Sequence, residues 1–415
     1  MNSSVKPTVL HLFQGVGIEL EYMIVHRETL DVLPVCDEII YAVTGNYDSE
    51  IEMGALNWSN ELVLHVIELK TNGPAKKTEG LPECFQKDIT HINQLLEPMN
   101  GMLMPTAMHP WMNPDLDTRL WPHEYSPVYE MYNSIFGCHG HGWSNLQSMH
   151  INLPFDGDEE FGALHAAIRL ILPILPALAA SSPVMEGGLT GLMDSRLDAY
   201  RQNQVRIPSL TGRIIPEAIY TQKNYEHKLL AGLYRDIAPF DPKGIMQNEW
   251  INSRGAIARF DRQAIEIRVL DIAECPLMDL TIASMVQALL QSLTEETWTS
   301  YELQKTCSVE KLADILEETI QHADQAVIAD KSYLKLFGYT SLKASASELW
   351  QFLYESRLKD MLAPQWHASA EHLLSHGPLA RRIVRRLGPK PAREELHQCY
   401  QALAQCLASG KPFGE

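Results

Sequence analysis

The stretch from Gly15 to Val25 constrains the fold of this chain more than any other part of its sequence. Apolar residues alternate there with polar or small ones, which is the period-two pattern of a β-strand. This pattern places the carboxylates of Glu19 and Glu21 on one face, about 7 Å apart along the strand. Two dry carboxylates so close repel each other and need a cation between them. The spacing predicts either a divalent-metal site or an edge strand with a solvated acidic face.

Three later segments share this design, in which a polar side chain is embedded in an apolar strand. Glu68 lies in one, His150 and Asn152 alternate in the second, and Glu266 and Arg268 project together from the third. One antiparallel sheet with these faces aligned would form an acidic trough. Carboxylates with one imidazole suit Mg²⁺ or Mn²⁺ better than zinc or copper. Because such ions ordinarily bridge carboxylates to nucleotide phosphates, the pattern predicts a metal–nucleotide site.

The character of the sequence changes near Pro276. Strand candidates, including a hairpin over 256–261 and 264–271, alternate with helices before this point. Strong helix formers dominate after it and predict four helices, near 278–298, 309–328, 346–361 and 391–408. We therefore predict an α+β fold with a catalytic region over residues 1–275 and a helical C-terminal region over 276–415 packed on it.

Charge and cysteine usage narrow the classes of function. A net charge of −18 argues against broad binding to nucleic acid or to an anionic membrane. The most apolar run, 170–180, contains two prolines and is too short to span a bilayer. Seven scattered cysteines without a CxxC pair, and no recognisable export signal, predict a cytoplasmic protein with reduced thiols. The oligomeric state stays open, a homo-oligomer included.

Five motifs occur in an order that resembles the glutamate–cysteine ligase family 2, a group of carboxylate–amine ligases related to glutamine synthetase. They lie between residues 10 and 275 and read GIELEY, VIELKTNGP, MHINLPF, SSPVMEGGLTGLMDSR and AIEIRVLD. The resemblance implies a curved antiparallel sheet of the glutamine synthetase and guanido kinase catalytic type, with flanking helices. It also implies that ATP and Mg²⁺, or Mn²⁺, bind in the trough of this sheet.

The same resemblance implies roles for individual residues. Four carboxylates match metal-ligand positions: Glu19, Glu21, Glu68 and Glu266. Three side chains match catalytic positions near phosphate, metal or a substrate carboxylate: Arg268, Arg196 and His150. We expect nucleotide contacts from His150, Asn152, Arg268 and Arg259. Many relatives carry His-x-His where this chain has His150-Ile151-Asn152, and Asn152 is a weaker metal ligand than histidine.

The implied activity is an ATP-dependent ligation of a small amino acid to an amine, with glutamate, through its γ-carboxylate, as the candidate acid. A carboxylate does not react with an amine near neutral pH, but an acyl phosphate does. Positioning and charge neutralisation dominate such chemistry, so we expect no catalytic serine or cysteine. Two alternatives stay open: a guanidino phosphotransferase, which shares the broad fold, and a catalytically silent binding or regulatory protein.

Other motifs favour structural interpretations. The cluster at 138–141 lacks the second ligand pair of a zinc site. The glycine-rich loop at 186–191 lacks the GK[ST] of a Walker P-loop. Arg254 and Arg259 either reach the nucleotide or pair with acids of the chain. The basic run at 380–386 predicts a helix face that is solvated or docked on acids of the same chain, rather than a nucleic-acid patch.

Overall fold

The computed structural model describes residues 9–414, and its centre is an eight-stranded antiparallel sheet. The strands of the chain are β1 (Gly17–His26), β2 (Glu50–Glu52), β3 (Leu56–Asn60), β4 (Val66–Thr71), β5 (Gly101–Met104), β6 (Ser148–Pro154), β7 (Val184–Met185), β8 (Gly188–Leu189), β9 (Ala256–Arg259), β10 (Ala264–Asp271), β11 (Val327–Ile328) and β12 (Ala344–Ser345). The order in the central sheet is β2-β3-β4-β1-β6-β10-β9, and β5 pairs with the end of β1. The four segments predicted to carry the polar residues therefore lie side by side as β4, β1, β6 and β10.

Helices surround this sheet. The α-helices are α1 (Cys36–Thr44), α2 (Leu81–Leu96), α3 (Pro114–Asp117), α4 (Ser126–Phe136), α5 (His141–Ser144), α6 (Gly157–Ile171), α7 (Pro176–Ala179), α8 (Ser195–Tyr200), α9 (Gln222–Asn224), α10 (Ala231–Ile237), α11 (Pro276–Thr294), α12 (Tyr301–Gln304), α13 (Val309–His322), α14 (Lys331–Lys335), α15 (Ala346–Leu353), α16 (Lys359–Met361), α17 (His367–His376), α18 (Leu379–Leu387) and α19 (Arg393–Ser409). Short 3₁₀ turns join several of them, and π-helical turns occur at Tyr225–Leu230 and Tyr354–Leu358. The α+β prediction is thus confirmed.

The central sheet has one apolar and one polar face because its strands alternate. Ile18, Leu20 and Ile151 lie in the hydrophobic core on the apolar side. The helix α2 has apolar residues at helical spacing, and its Phe85 and Ile89 are fully buried in the same core. Burial of this face leaves the carboxylates of β1, β4 and β10 together on the opposite face.

The helical character predicted after Pro276 is confirmed, and helices begin within two residues of each predicted start, as α11, α13, α15 and α19. The predicted helix over 309–328 is too long, because α13 ends at His322 and residues 327–328 form β11. The helix α18 matches the helix face predicted from the basic run at 380–386, whereas α17, just before it, was not predicted. The side chains of α11 belong to the same core cluster as the sheet. The division into two regions at 275 stays a prediction.

One helix of the described residues, α11, is long and apolar enough to cross a membrane. Within the protein, 78% of the most apolar stretch of α11 is buried, and α11 contacts α2, α6 and α17. These contacts identify α11 as a helix of the protein core.

The basic helix α18 is docked on acids of the same chain, as one of the two predicted alternatives requires. Arg381 Nη2 lies 2.9 Å from Asp324 Oδ1. Arg382 binds the buried carboxylate of Glu274, just after β10, and donates to the carbonyl of Phe413 at 3.0 Å. These contacts attach the C-terminal helices to the end of the central sheet.

Candidate active site

Strand register places the predicted metal ligands side by side on the polar face of the sheet. Glu21 of β1 is the cross-strand partner of Glu68 in β4. Glu19 is the partner of His150 in β6. Glu266 of β10 faces Asn152 across the next pair of strands. We call this polar face, formed by β4, β1, β6 and β10, the trough. The strands that form the trough are distant in sequence. Their shared pattern, a polar side chain embedded in an apolar strand, predicts that they lie in one sheet.

His150 lies between two groups of carboxylates. Its Nδ1 is 2.9 Å from Glu19 Oε2 and 3.8 Å from Glu266 Oε1, whereas its Nε2 is 3.9 Å from Glu21 Oε1. Within the described residues, two sets of side chains have ligand atoms close enough to hold a metal ion, and both include this imidazole: Glu19–His150–Glu266 and Glu21–Glu68–His150. One histidine thus joins two adjacent candidate ion sites.

Backbone and side-chain donors orient the carboxylates of the trough. Glu21 Oε2 accepts a hydrogen bond from the backbone N–H of Ser148 at 2.7 Å. Asn152 donates to Glu19 Oε1 at 3.0 Å, so it supports a carboxylate, in keeping with its weakness as a metal ligand. The hydroxyl of Ser148 lies 2.9 Å from His150 Nε2. Glu21 and Glu19 are thus both held by donors from β6, the neighbouring strand.

The pKa values in the trough are strongly perturbed. Burial alone would lower the pKa of His150, but the hydrogen bond with Glu19 and the charges of Glu21 and Glu19 raise it to about 9. Burial raises the pKa of Glu68 to about 7, together with the charge of Glu19 and against that of Lys70. The raised pKa of His150 shows that the carboxylates around it favour a positive charge at this position, as a divalent cation would supply.

The donor set fits Mg²⁺ or Mn²⁺. Carboxylate oxygens from Glu19, Glu21, Glu68 and Glu266 are hard ligands, and one imidazole accompanies them. The cysteines of the described residues do not belong to either set. The buried, mutually repelling carboxylates and the raised pKa of His150 indicate that positive charge is favourable at this position. The assignment of each carboxylate to an ion stays a prediction.

Arginines close one side of the trough. Arg268 Nε donates to Glu266 Oε1 at 3.1 Å, and its Nη2 binds the same oxygen. Arg259 Nη1 lies 3.4 Å from the other oxygen, Glu266 Oε2. Arg259 also lies 3.4 Å from Asp261 and 3.7 Å from Glu249. The two guanidinium groups are therefore beside the predicted metal ligand Glu266, where a phosphate or a carboxylate would find cations.

Arg196 lies deeper than the other predicted side chains. It is only 2% exposed, and its Nε donates to Asp271 Oδ1 at 2.6 Å. Its Nη2 donates to the backbone carbonyl of Arg268 at 3.3 Å. Asp271 also accepts from the backbone of Ser181 and the hydroxyl of Ser182. This arrangement favours a positioning role for Arg196 behind Arg268, in place of direct contact with a substrate.

The structure settles the two alternatives for the neighbouring arginine Arg254. Its guanidinium forms two contacts with Glu217, from Nε at 2.5 Å and from Nη2 at 2.6 Å. Arg254 therefore pairs with an acid of the chain. In the cluster at 138–141, His141 Nδ1 lies 3.0 Å from Asn145 Nδ2, and its Nε2 lies 3.4 Å from Glu186.

Sequence reasoning missed several polar residues of the trough. Lys70 Nζ lies 3.2 Å from Glu68 Oε2, and Ser59 donates to the same oxygen at 2.5 Å. Period-two spacing from Glu68 places Lys70 on the polar face, so the sequence contains a signal for it. Glu61 follows β3, and its burial and the charges of Glu21 and Glu68 raise its pKa well above the usual range. It carries no such signal, because it lies outside the strands, in the connection between β3 and β4.

The helix α4 brings two tyrosines to the same region. The hydroxyl of Tyr129 accepts a hydrogen bond from Asn60 at 3.0 Å, and burial and the charge of Glu61 raise its pKa. Burial likewise raises the pKa of Tyr132, which lies near Arg268. The sequence analysis assigned no function to α4.

A cavity of about 730 Å³ opens where β1 and β10 begin and β4 and β6 end. Glu19, Lys70 and Asn152 line it on the side of the trough, and Leu10, Pro74 and Phe260 supply apolar surface. Its size lies within the range of roughly 300–1,000 Å³ that is usual for small-molecule sites. The trough therefore continues into a space that combines apolar walls with charged groups.

Comparison with known proteins places these features in context. The sequence profile of the glutamate–cysteine ligase family 2 matches residues 15–359. An uncharacterised protein from Archaeoglobus fulgidus is 33% identical over 333 residues, which are 77% of this chain and 88% of that protein. A Bradyrhizobium protein provisionally named glutamate–cysteine ligase 2 is 26% identical over 305 residues, 67% of this chain and 61% of that protein.

Two solved structures share the fold. A crystal structure of the glutamate–cysteine ligase of Francisella tularensis in complex with AMP has a TM-score of 0.56 and 14% identity; the match covers 97% of this chain and 90% of that one. A bifunctional glutathione synthetase from Pasteurella multocida has a TM-score of 0.58 and 16% identity, covering 96% and 52%. At such low identities the likeness concerns the fold alone.

Proposed function

The chain belongs to the glutamate–cysteine ligase family 2, and from this premise we propose that it is an ATP- and Mg²⁺-dependent carboxylate–amine ligase. The observation that carries the proposal is the trough: four carboxylates and His150 form two overlapping candidate ion sites on one sheet face. Arg268 and Arg259 lie next to them, and a cavity of about 730 Å³ adjoins them. A metal–nucleotide substrate needs this combination of ligands, cations and space.

We assign the ions to the predicted carboxylates, with His150 between the two sets. When bound, Mg²⁺ or Mn²⁺ would neutralise phosphate charge and make the γ-phosphorus more electrophilic. We place the nucleotide in the adjoining cavity, with its base toward the apolar walls at Leu10 and Phe260. The AMP bound to the Francisella relative supports nucleotide binding by this fold.

The proposed reaction has two steps. A carboxylate oxygen of the acid substrate attacks the γ-phosphorus of ATP, the bond to the β-phosphate oxygen breaks, and ADP leaves. The amine nitrogen then attacks the carbonyl carbon of the acyl phosphate, phosphate leaves, and the nitrogen gives up a proton to form the amide. Arg268 and Arg259 would orient the acid carboxylate and the transferred phosphoryl group through charge-assisted hydrogen bonds. Arg196 would hold the backbone of Arg268 in place.

We propose glutamate, through its γ-carboxylate, as the acid, because the family and its relatives carry that name. The amine is not assigned. Catalysis by positioning and charge needs no covalent nucleophile on the protein. Burial raises the pKa values of Cys138 and Cys275, and a thiol that stays protonated is a poor nucleophile.

A substrate screen tests the proposal. Wild-type enzyme with ATP and Mg²⁺ is supplied with pairs of amino acids and amines, phosphate release is measured, and products are identified by mass spectrometry. We expect full release only when both an acid and an amine are present, with an amide as product. A stable phosphorylated guanidine would instead indicate a guanidino phosphotransferase. No metal-dependent ATP binding or turnover would indicate a silent binding protein.

A further inference from the structure

Lys70 is a cation within the trough that the proposed reaction does not yet use. It lies on β4, two residues after Glu68, and its Cα pairs across the strands with Glu19. Its Nζ is 2.6 Å from Glu50 Oε2 and 3.2 Å from Glu68 Oε2. Only 25% of its side chain is exposed, compared with 8% for Glu68. Lys70 therefore differs from an ordinary surface ion pair, which water and salt would largely screen.

The contacts of Glu68 are one-sided. Two side chains approach the same oxygen, Oε2: the hydroxyl of Ser59, across the strands on β3, at 2.5 Å and the ammonium of Lys70, on the same strand, at 3.2 Å. In the described part of the chain, Oε1 takes part in no hydrogen bond or ion pair. Contacts to one oxygen of a carboxylate fix the direction of its other oxygen. Partners outside the ligand set generally orient metal ligands in this way.

Lys70 is itself fixed from the opposite side. Asn57 donates to Glu50 Oε1 at 2.8 Å, which leaves Glu50 Oε2 for the ammonium. The resulting chain of contacts crosses β2, β3 and β4 and ends at Glu68. Lys70, Asn57 and Glu50 also line the cavity beside the trough, so the ammonium faces the space in which we place the nucleotide.

We propose that Lys70 balances the charge of Glu68 and of the trough until a metal–nucleotide complex binds. This inference rests on the proposed function, because both assume that the trough binds a metal ion and a nucleotide. The positive charge of Lys70 opposes the binding of a divalent cation alone and favours the binding of a nucleotide, which carries negatively charged phosphates. Lys70 thereby couples metal binding to nucleotide binding.

Opposite changes in two affinities test this role. Lys70→Met is compared with wild type by calorimetry at about pH 8, first with Mn²⁺ alone and then with a non-hydrolysable ATP analogue in the presence of Mg²⁺. We expect Mn²⁺ to bind about tenfold more tightly, because a repulsive charge is gone. We expect the analogue to bind about tenfold more weakly, because an attractive charge is gone.

Controls separate this role from a loss of structure. Lys70→Arg keeps the charge and should restore both affinities toward wild type, and Lys223→Met removes an exposed lysine on α9 and should change neither. If both affinities fall together, or if neither changes, Lys70 does not have the proposed role. If wild type binds no Mn²⁺ and no analogue, both this inference and the proposed function are wrong. If wild type binds both ligands and only the Lys70 effect is missing, the proposed function survives.

Discussion

At the scale of single residues, Glu21 shows how a buried carboxylate can serve both structure and chemistry. One of its oxygens accepts the backbone N–H of Ser148, whereas the other faces His150. An alanine in its place would leave that buried N–H without an acceptor, at a cost of about 1–3 kcal/mol. A glutamine keeps the acceptor and removes the charge. Glu21→Gln is therefore the cleaner test of the metal assignment.

We predict that Glu21→Gln lowers turnover on the order of 100-fold or more, because it removes a charged ligand where metal ions supply several kcal/mol of stabilisation. Calorimetry should show weaker binding of Mg²⁺ with ATP, and the unfolding midpoint should change little. Glu159→Gln, at an exposed acid of α6, is the matched control and should keep activity. Unchanged Mg²⁺–ATP affinity in Glu21→Gln would remove Glu21 from the metal site.

At the scale of elements, Asp271 joins the end of β10 to the start of α8 and to the segment before β7. It accepts hydrogen bonds from Arg196, from the backbone of Ser181 and from the hydroxyl of Ser182. Removing one partner of a buried ion pair leaves an uncompensated charge. The stability of this junction thus depends on Arg196, and the position of Arg268 depends on the junction.

We predict that Arg196→Met lowers the free energy of unfolding by about 3–5 kcal/mol, the cost of breaking a buried ion pair. Urea unfolding followed by circular dichroism measures this change. Arg213→Met removes an exposed arginine and should alter stability by less than about 0.5 kcal/mol. An Arg196→Met protein of wild-type stability without activity would contradict the positioning role and favour direct contact with a substrate.

At the scale of the whole molecule, acid sensitivity follows from buried neutral histidines. His109 is fully buried; its Nδ1 accepts backbone N–H groups from Trp111 and Met112, and its Nε2 lies 2.7 Å from the carbonyl oxygen of Leu30. Burial lowers its pKa to about 4. Burial lowers the pKa of His65 to about 4 as well. At each of these two histidines, the unfolded chain therefore binds more protons than the folded protein between about pH 4 and pH 6.5.

We predict that the contribution of these two histidines to the free energy of unfolding is greatest above about pH 6.5 and falls as the pH drops toward about 4, because the folded pKa is the lower one. His109 alone should contribute about 2 kcal/mol to the loss between about pH 7 and pH 5. Urea titrations at both pH values should give a smaller difference for His109→Gln than for wild type. His227→Gln, at an exposed site, should leave the difference unchanged. An equal pH dependence in His109→Gln would contradict this assignment.

Sequence periodicity was sufficient to predict the trough, because the alternation along each strand shows which residues lie on its apolar face and which on its polar face. Glu19, Glu21, Glu68, His150 and Glu266 could be assigned to one surface before any pairing was known, since apolar neighbours fix which side is buried. The strand pairing and the fold class then followed from one assumption, namely that the polar faces of these strands align in one sheet. Local pattern was sufficient wherever a residue and its environment lie on the same strand.

Contacts between distant segments could not be predicted in this way. Arg196 and Asp271 are 75 residues apart, and neither residue's neighbours indicate that the pair is buried. Lys70 has the right period, but it cannot be distinguished from a solvated lysine without knowledge of its contacts with Glu50 and Glu68. The basic run of α18 predicts a helix face, but local pattern does not locate the distant acids, such as Asp324 and Glu274, on which its arginines dock.

The central claim is that a carboxylate is activated by phosphoryl transfer in this trough, and an isotope experiment tests it most directly. The acid substrate is labelled with ¹⁸O in the reacting carboxylate, and wild-type enzyme turns it over with ATP, Mg²⁺ and the amine. We predict that one ¹⁸O atom appears in each phosphate released, because the oxygen that attacks phosphorus leaves with it. Amide formation with unlabelled phosphate would contradict the account.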